Sequence, residues 1–226
     1  MKILALLLPL AALAFADSAG RMVSRYSKSD FPLSADPAAA QWKNIPAAIV
    51  EGDTEGKPVA GHRTEVRSRW TDKHLYVLYT CPYQELYLRP NPSQTEETNE
   101  LWNWDVAEIF AGTDFKDIRH YTEYEISPQG EWVDLDINRN TNPPAHNVKW
   151  DSGFQVKARI DRDHKVWYGE MQIPFTALGL KPAKGAKLRV NLFRAQGPEP
   201  RKFLSWQPTH SETFHVPEAF GLMVLE

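Results

Sequence analysis

The chain has one cysteine in 226 residues, Cys81, so no internal disulfide can form and no multi-cysteine zinc site exists. Charge of one sign is also lacking. The net charge is −3 and no long Lys/Arg run occurs, which argues against nucleic acid and against a polybasic membrane surface as partners. Beyond the N-terminus there is no further long apolar run to span a membrane. Long helices of 3.6-residue period are missing, as are βαβ alternation, internal repeats and low-complexity tracts. No HExxH, GxSxG, Walker A or GxGxxG motif is present, so zincin, nucleophile-elbow and nucleotide chemistry have no support.

What is there begins with MKILALLLPLAALAFA. Lys2 supplies a charged end, Ile3–Leu13 an apolar run and Ala14-Phe15-Ala16 a small-x-small site. The run is too short for a stable membrane span. A signal peptide over residues 1–16 is expected, with Asp17 as the mature N-terminus. An uncleaved anchor is the alternative. Export with a single cysteine fits a bacterial periplasm or secreted fraction better than a disulfide-stapled eukaryotic module. Residues 17–32 are polar and mixed and read as a leader, part of a poorly ordered arm reaching Asp36.

From there the chain reads as short strands and turns. Glu65–Trp70 and His74–Tyr79 flank the turn Thr71-Asp72-Lys73 as a hairpin. Val106–Ala111, Tyr121–Ser127, Glu131–Ile137, Phe154–Ile160, Val166–Ile173, Leu188–Arg194 and Gly221–Leu225 follow as strands. Arg89–Asn99 and Asn138–Asn147 are polar loops. Pro174–Leu180 reads as a short helical turn, with proline early and glycine late. Many short strands with turn signals between them indicate an all-β single domain, an antiparallel sandwich or barrel.

The most informative stretch is Leu101–Phe110, LWNWDVAEIF. Strand side chains alternate faces, so Val106, Glu108 and Phe110 share one face. Trp102 and Trp104 join it if the strand starts early; a late start or a bulge parts them. A carboxylate beside indoles is costly in a core. It suits a site where an aromatic plate covers an apolar surface and a carboxylate accepts hydroxyl donors.

Seven segments then occur in order: HLYVLYTC, WNWDVAEIF, YTEYEISPQGEWVDL, WYGEMQIPFTALGL, LRVNLFRAQ, LSWQP and FHVPEAFG. Together they resemble carbohydrate-binding module family 9 and its family-9-like relatives, over residues 33–226. The resemblance implies a jelly-roll-like antiparallel β-sandwich that holds a mono-, oligo- or polysaccharide between two aromatic rings, in support of polysaccharide breakdown. The first ring matches Trp102 and the hydroxyl-binding carboxylate matches Glu108. The second ring precedes Pro217-Glu218-Ala219-Phe220-Gly221 and matches Phe214, where the family carries tryptophan. Glu125 lies near where the family uses arginine. Trp206 is a further candidate for the site, with core as its competing role. Structural calcium held by loop oxygens is implied, without ligands that match residue by residue.

Two other classes are open. Glu108, Glu125, Asp134 and Asp136 could supply an acid/base pair for glycoside hydrolysis. The wider sandwich superfamily includes haem electron-transfer modules with Met, His or Lys ligands; Met171 and Met223 are available, in apolar strand patterns. The seven histidines are scattered, and His210 and His215 flank a loop as surface or satisfied core residues.

Overall fold

The computed structural model describes residues 20–226, so the expected signal peptide and its cleavage site lie outside the described residues. Fourteen strands form there in chain order. They are β1 (Arg21–Tyr26), β2 (Ala47–Val50), β3 (Gly52–Asp53), β4 (Thr64–Trp70), β5 (His74–Pro82), β6 (Val106–Gly112) and β7 (His120–Ile126). After them come β8 (Trp132–Asn138), β9 (Ala145–Asn147), β10 (Gln155–Asp161), β11 (Val166–Pro174), β12 (Lys187–Gln196), β13 (Lys202–Ser205) and β14 (Gly221–Leu225).

The main path runs β10-β11-β5-β4-β1-β14-β12-β6-β7-β8-β9, a single curled sheet whose two halves meet at β1. One core fills the space between the halves. Val77, Tyr79, Trp167 and Met171 come from the first half, and Ile109, Tyr124, Val190, Leu192 and Met223 from the second. The Tyr79 hydroxyl crosses this core and donates to the Glu108 carbonyl at 2.6 Å. Met171 and Met223, the candidate haem ligands, are fully buried in it.

The purely antiparallel expectation is corrected by β1. Its first four residues pair in parallel with β14 and its last two in parallel with β4. No hairpin turn joins β1 to either neighbour, so nothing in the connection forces an antiparallel direction. The same strand corrects the leader. Residues 21–26 are part of the sheet, because Met22 and Ser24 point inward and bury. Residues 31–45 are also anchored. Phe31, Leu33 and Ile45 pack with Trp42 on Tyr76 and Leu78, the outer face of β5.

That anchor has a polar centre. The Glu170 carboxylate is fully buried. It accepts hydrogen bonds from Ser34 N at 2.7 Å, Ala35 N at 2.6 Å and Trp42 Nε1 at 3.0 Å. The β4–β5 hairpin forms as expected, with Trp70 opposite Leu75. Pro174–Leu180 differs: β11 runs through Pro174, and successive turns follow, with Ala177 N donating to Pro174 O and Gly179 N to Thr176 O. Ala145–Asn147 inside the expected loop is a short exposed edge strand on β8.

Glu170→Gln should therefore loosen the N-terminal segment. The amide can accept through only one of its two positions, so a buried donor loses its partner at about 2–3 kcal/mol. The melting temperature should fall by roughly 5–10 °C. Melting at the parental temperature would show that the segment is not held there.

Candidate functional site

β6 is buried on both faces. Ala107, Ile109 and Ala111 face the core between the half-sheets. Val106 and Phe110 belong to a second apolar cluster on the opposite face, with Tyr121 of β7, Leu135 and Ile137 of β8 and Phe193 of β12. Glu108 projects among them. A cavity of about 360 Å³ opens over this second face, within the ordinary size range of small-molecule sites.

Trp102 and Phe214 both line this cavity, together with Phe203, Glu108, Glu123 and His215. The chain turns at Glu100, whose φ is 60°, into a short 3-10 turn over Leu101–Asn103. That late strand start separates the two tryptophans. Leu101 is fully buried and fixes the turn. Trp102 is left half-exposed at the cavity, while Trp104 packs on Tyr87 at a centroid distance of 4.6 Å. The Arg201 guanidinium locks the arrangement by donating to the Trp102 carbonyl at 2.8 Å and to the Trp104 carbonyl.

Asp105, beside them, is structural. It is fully buried and accepts from Tyr87 N at 3.0 Å, Gln196 Nε2 at 2.9 Å and Gly197 N. Burial pushes its carboxyl up to about 6, against the opposing pull of those backbone N–H groups and of Arg194 and Arg201.

Phe214 arrives on the segment between β13 and β14. Asn191 Nδ2 on β12 donates to Gln207 O at 2.9 Å, Arg189 donates to Pro217 O, and Tyr121 and His215 are hydrogen bonded at 2.9 Å. The Phe214 ring lies face to face on Phe193, 4.2 Å between centroids and 14° from parallel. One of its faces is thereby occupied by the sheet. His215 is kept neutral: burial, helped by His146 and Arg139, lowers its imidazole to about 3. Its bond to Tyr121 and its packing on Phe110 fit the satisfied role expected of it, and it lines the cavity as well, whereas His210 is exposed beside Glu55.

Under the cavity lies a cluster of three glutamates, Glu108 and Glu125 of the expected set and Glu123 besides. Glu108 sits directly opposite Glu125 in the β6–β7 ladder, and Phe110 opposite Glu123. Period two puts Glu123 and Glu125 on one face of β7, so all three glutamates converge. Their exposures are 2%, 4% and 0%. Burial is the first cause that raises each of them: Glu123 rises to about 7 against the pull of Glu125, while Glu108, pushed further by Glu123, and Glu125, pushed further by Glu108 and Glu123, rise well above the carboxylate range. Glu125 is wholly beneath the surface and does not line the cavity, and Glu123, absent from the expected set, does.

Trp206 is placed elsewhere. It packs against the main core and so close to Gly221 that a Cβ there would lie 2.6 Å from the indole. Asp134 and Asp136 are also apart from the cavity. Asp136 bonds His120 at 2.7 Å. Asp134 joins Glu97 and Asp151, with one oxygen from each within 4.8 Å of the others. Asp134 Oδ2 accepts from Ser152 N at 2.9 Å, while its Oδ1 is buried without a donor. Burial, with Asp134 and Asp151, raises Glu97 to about 7. An all-oxygen set with an orphaned acceptor fits a structural calcium, and these are the residues that would hold it.

The chain matches the family described as carbohydrate family 9 binding domain-like over residues 36–226. An extracellular protein of Arthroderma benhamiae is 24% identical over 175 residues, covering 72% of this chain and 78% of that protein. A carbohydrate-binding module family 9 from Caldicellulosiruptor kristjanssonii, solved with cellotriose, superposes with a TM-score of 0.65 at 16% identity, over 92% of this chain and 94% of that one. A putative carbohydrate-binding protein from Bacteroides uniformis superposes with a TM-score of 0.71 at 14% identity, over 92% and 100%.

Proposed function

We propose that this chain, which belongs to the carbohydrate family 9 binding domain-like family, binds a saccharide in the cavity between Trp102 and Phe214 without transforming it. The observation that carries the reading is the convergence of these two rings, far apart in the chain, on one cavity with Glu108 at its floor. An aromatic plate removes the C–H face of a sugar from water, at about 25 cal/mol per Å² of apolar area. A glutamate at the floor accepts hydroxyl donors, each bond adding roughly 0.5–1.5 kcal/mol, or roughly 1.5–3 kcal/mol where the carboxyl is ionised, before the cost of association. The net affinity expected is micromolar to millimolar. The cellotriose held by the Caldicellulosiruptor module supports a saccharide as the ligand class.

The disposition of the carboxylates favours binding over hydrolysis. Glycoside hydrolysis uses two carboxyl groups that flank the scissile bond. Glu108 and Glu123 project from one sheet face, and both lie on the same side of anything in the cavity. A binding protein of this kind serves glycan breakdown by holding substrate for an enzyme.

The protein is proposed to work outside the cytoplasm, in the periplasm or the medium. Lys2, the apolar run and Ala14-Phe15-Ala16 support export, as does the name of the Arthroderma relative. Intact mass of the exported protein should correspond to a chain beginning at Asp17; a product that retains Met1 would overturn cleavage.

Calorimetry with the best glycan from a screen tests the site. Trp102→Ala should weaken binding by about 1–3 kcal/mol, roughly 5- to 150-fold, with an unchanged thermal melt. Glu108→Gln should give a smaller loss. Phe214→Trp should tighten binding by enlarging the second plate. Parental affinity in Trp102→Ala would remove Trp102 from the site.

A further inference from the structure

A saccharide needs hydroxyl acceptors, but it does not need three carboxylates against one another. Glu108, Glu123 and Glu125 each bring an oxygen within 4.8 Å of the other two. Both carboxylate oxygens of Glu125 and Oε2 of Glu123 are buried with no hydrogen-bond donor. Among the described residues no lysine or arginine forms a salt bridge with any of the three; His215 Nε2 lies 3.9 Å from Glu123 Oε2. Arg201, whose charge acts on Glu108, already donates to the Trp102 and Trp104 carbonyls. Like charges directly opposite in a ladder are destabilising. Buried carboxylates without donors are costly as well. An occupant with positive charge removes both penalties.

We propose that Glu108, Glu123 and Glu125 hold a divalent cation of calcium size at the floor of the aromatic cavity. Three oxygens within 4.8 Å of one another can meet on one ion. Calcium holds oxygens at about 2.3–2.6 Å, so two ligands on opposite sides of one ion stand about 4.6–5.2 Å apart. Magnesium demands a near-ideal octahedron and keeps several of its waters, so a floor of three carboxylates suits calcium better. The donors are all hard oxygens, which select against thiolate- and imidazole-seeking metals. Glu125, beneath the surface, anchors the ion from below, and Glu108 and Glu123 meet it from the cavity side. Calcium takes six to eight oxygens, so coordination positions are left open towards the cavity. The site is distinct from Glu97, Asp134 and Asp151, and it does not depend on the saccharide reading, because it can be probed with metal alone.

Terbium titration of the full chain, with emission sensitised by tryptophan, provides the test; Trp102 lines the same cavity. Asp151→Asn serves as the parent, to weaken the other carboxylate set. In this parent, sensitised emission should appear and excess calcium should displace it. Adding Glu125→Gln should weaken terbium by about tenfold or more. Thermal melts give the second readout. Glu125→Gln puts a neutral isostere in place of a buried carboxyl without a partner, so it should melt close to its parent in metal-free buffer and lose the rise that calcium gives the parent. If Glu125→Gln does not fold, Glu123→Gln takes its place in both measurements. Terbium affinity equal to that of the parent, an equal calcium-induced rise, or no sensitised emission in Asp151→Asn would overturn the proposal.

Discussion

A strand buried on both faces gives alternate residues different work, and β6 is such a strand. Its odd residues Ala107, Ile109 and Ala111 close the core between the half-sheets. Its even residues Val106, Glu108 and Phe110 form the ground under the cavity. A slip of one residue would exchange the two sets and drive Glu108 into the apolar core. Register is therefore held from several sides. β12 pairs along β6 with Phe193 opposite Glu108, and β7 pairs along the other edge with Glu125 opposite it. The Tyr79 hydroxyl reaches the Glu108 carbonyl from across the core.

The rest of the site is built outward from that register. The 3-10 turn ahead of β6 lifts Trp102 to the rim, Arg201 holds it by the Trp102 carbonyl, and Asp105 just beyond it ties in Tyr87 N and Gly197 N. On the far side, Phe193 of β12 supports Phe214 by stacking. The walls are apolar and the floor is acidic. Three glutamates gathered under one cavity run against the rule that buried charges are paired, and departures of this kind concentrate where a fold serves a ligand rather than its own stability.

The strands were legible where alternation extends over several residues, as in β4, β10 and β12. Strands of two to four residues were not, because β2, β3, β9 and β13 are too short to display a period. β1 escaped notice for another reason. Its partners β14 and β4 are remote in sequence, and only Met22 and Ser24 among its polar neighbours turn inward. Trp102 was found through family resemblance, since periodicity could not part it from Trp104; the parting comes from the late start of β6. Glu123 escaped although Tyr121, Glu123 and Glu125 alternate visibly, because convergence with Glu108 depends on the β6–β7 register. Arg201 and Phe203 carry no local signal, for Arg201 comes from the β12–β13 connection and Phe203 from β13, a strand too short to display a period.

A crystal structure of the protein soaked with a short oligosaccharide tests the central claim most directly. The account predicts one sugar ring against Trp102, with Phe214 on the other side and a hydroxyl within hydrogen-bond distance of the Glu108 carboxylate. Sugar bound elsewhere, for example on Trp104 and Tyr87, with the Trp102 cavity empty, would contradict it.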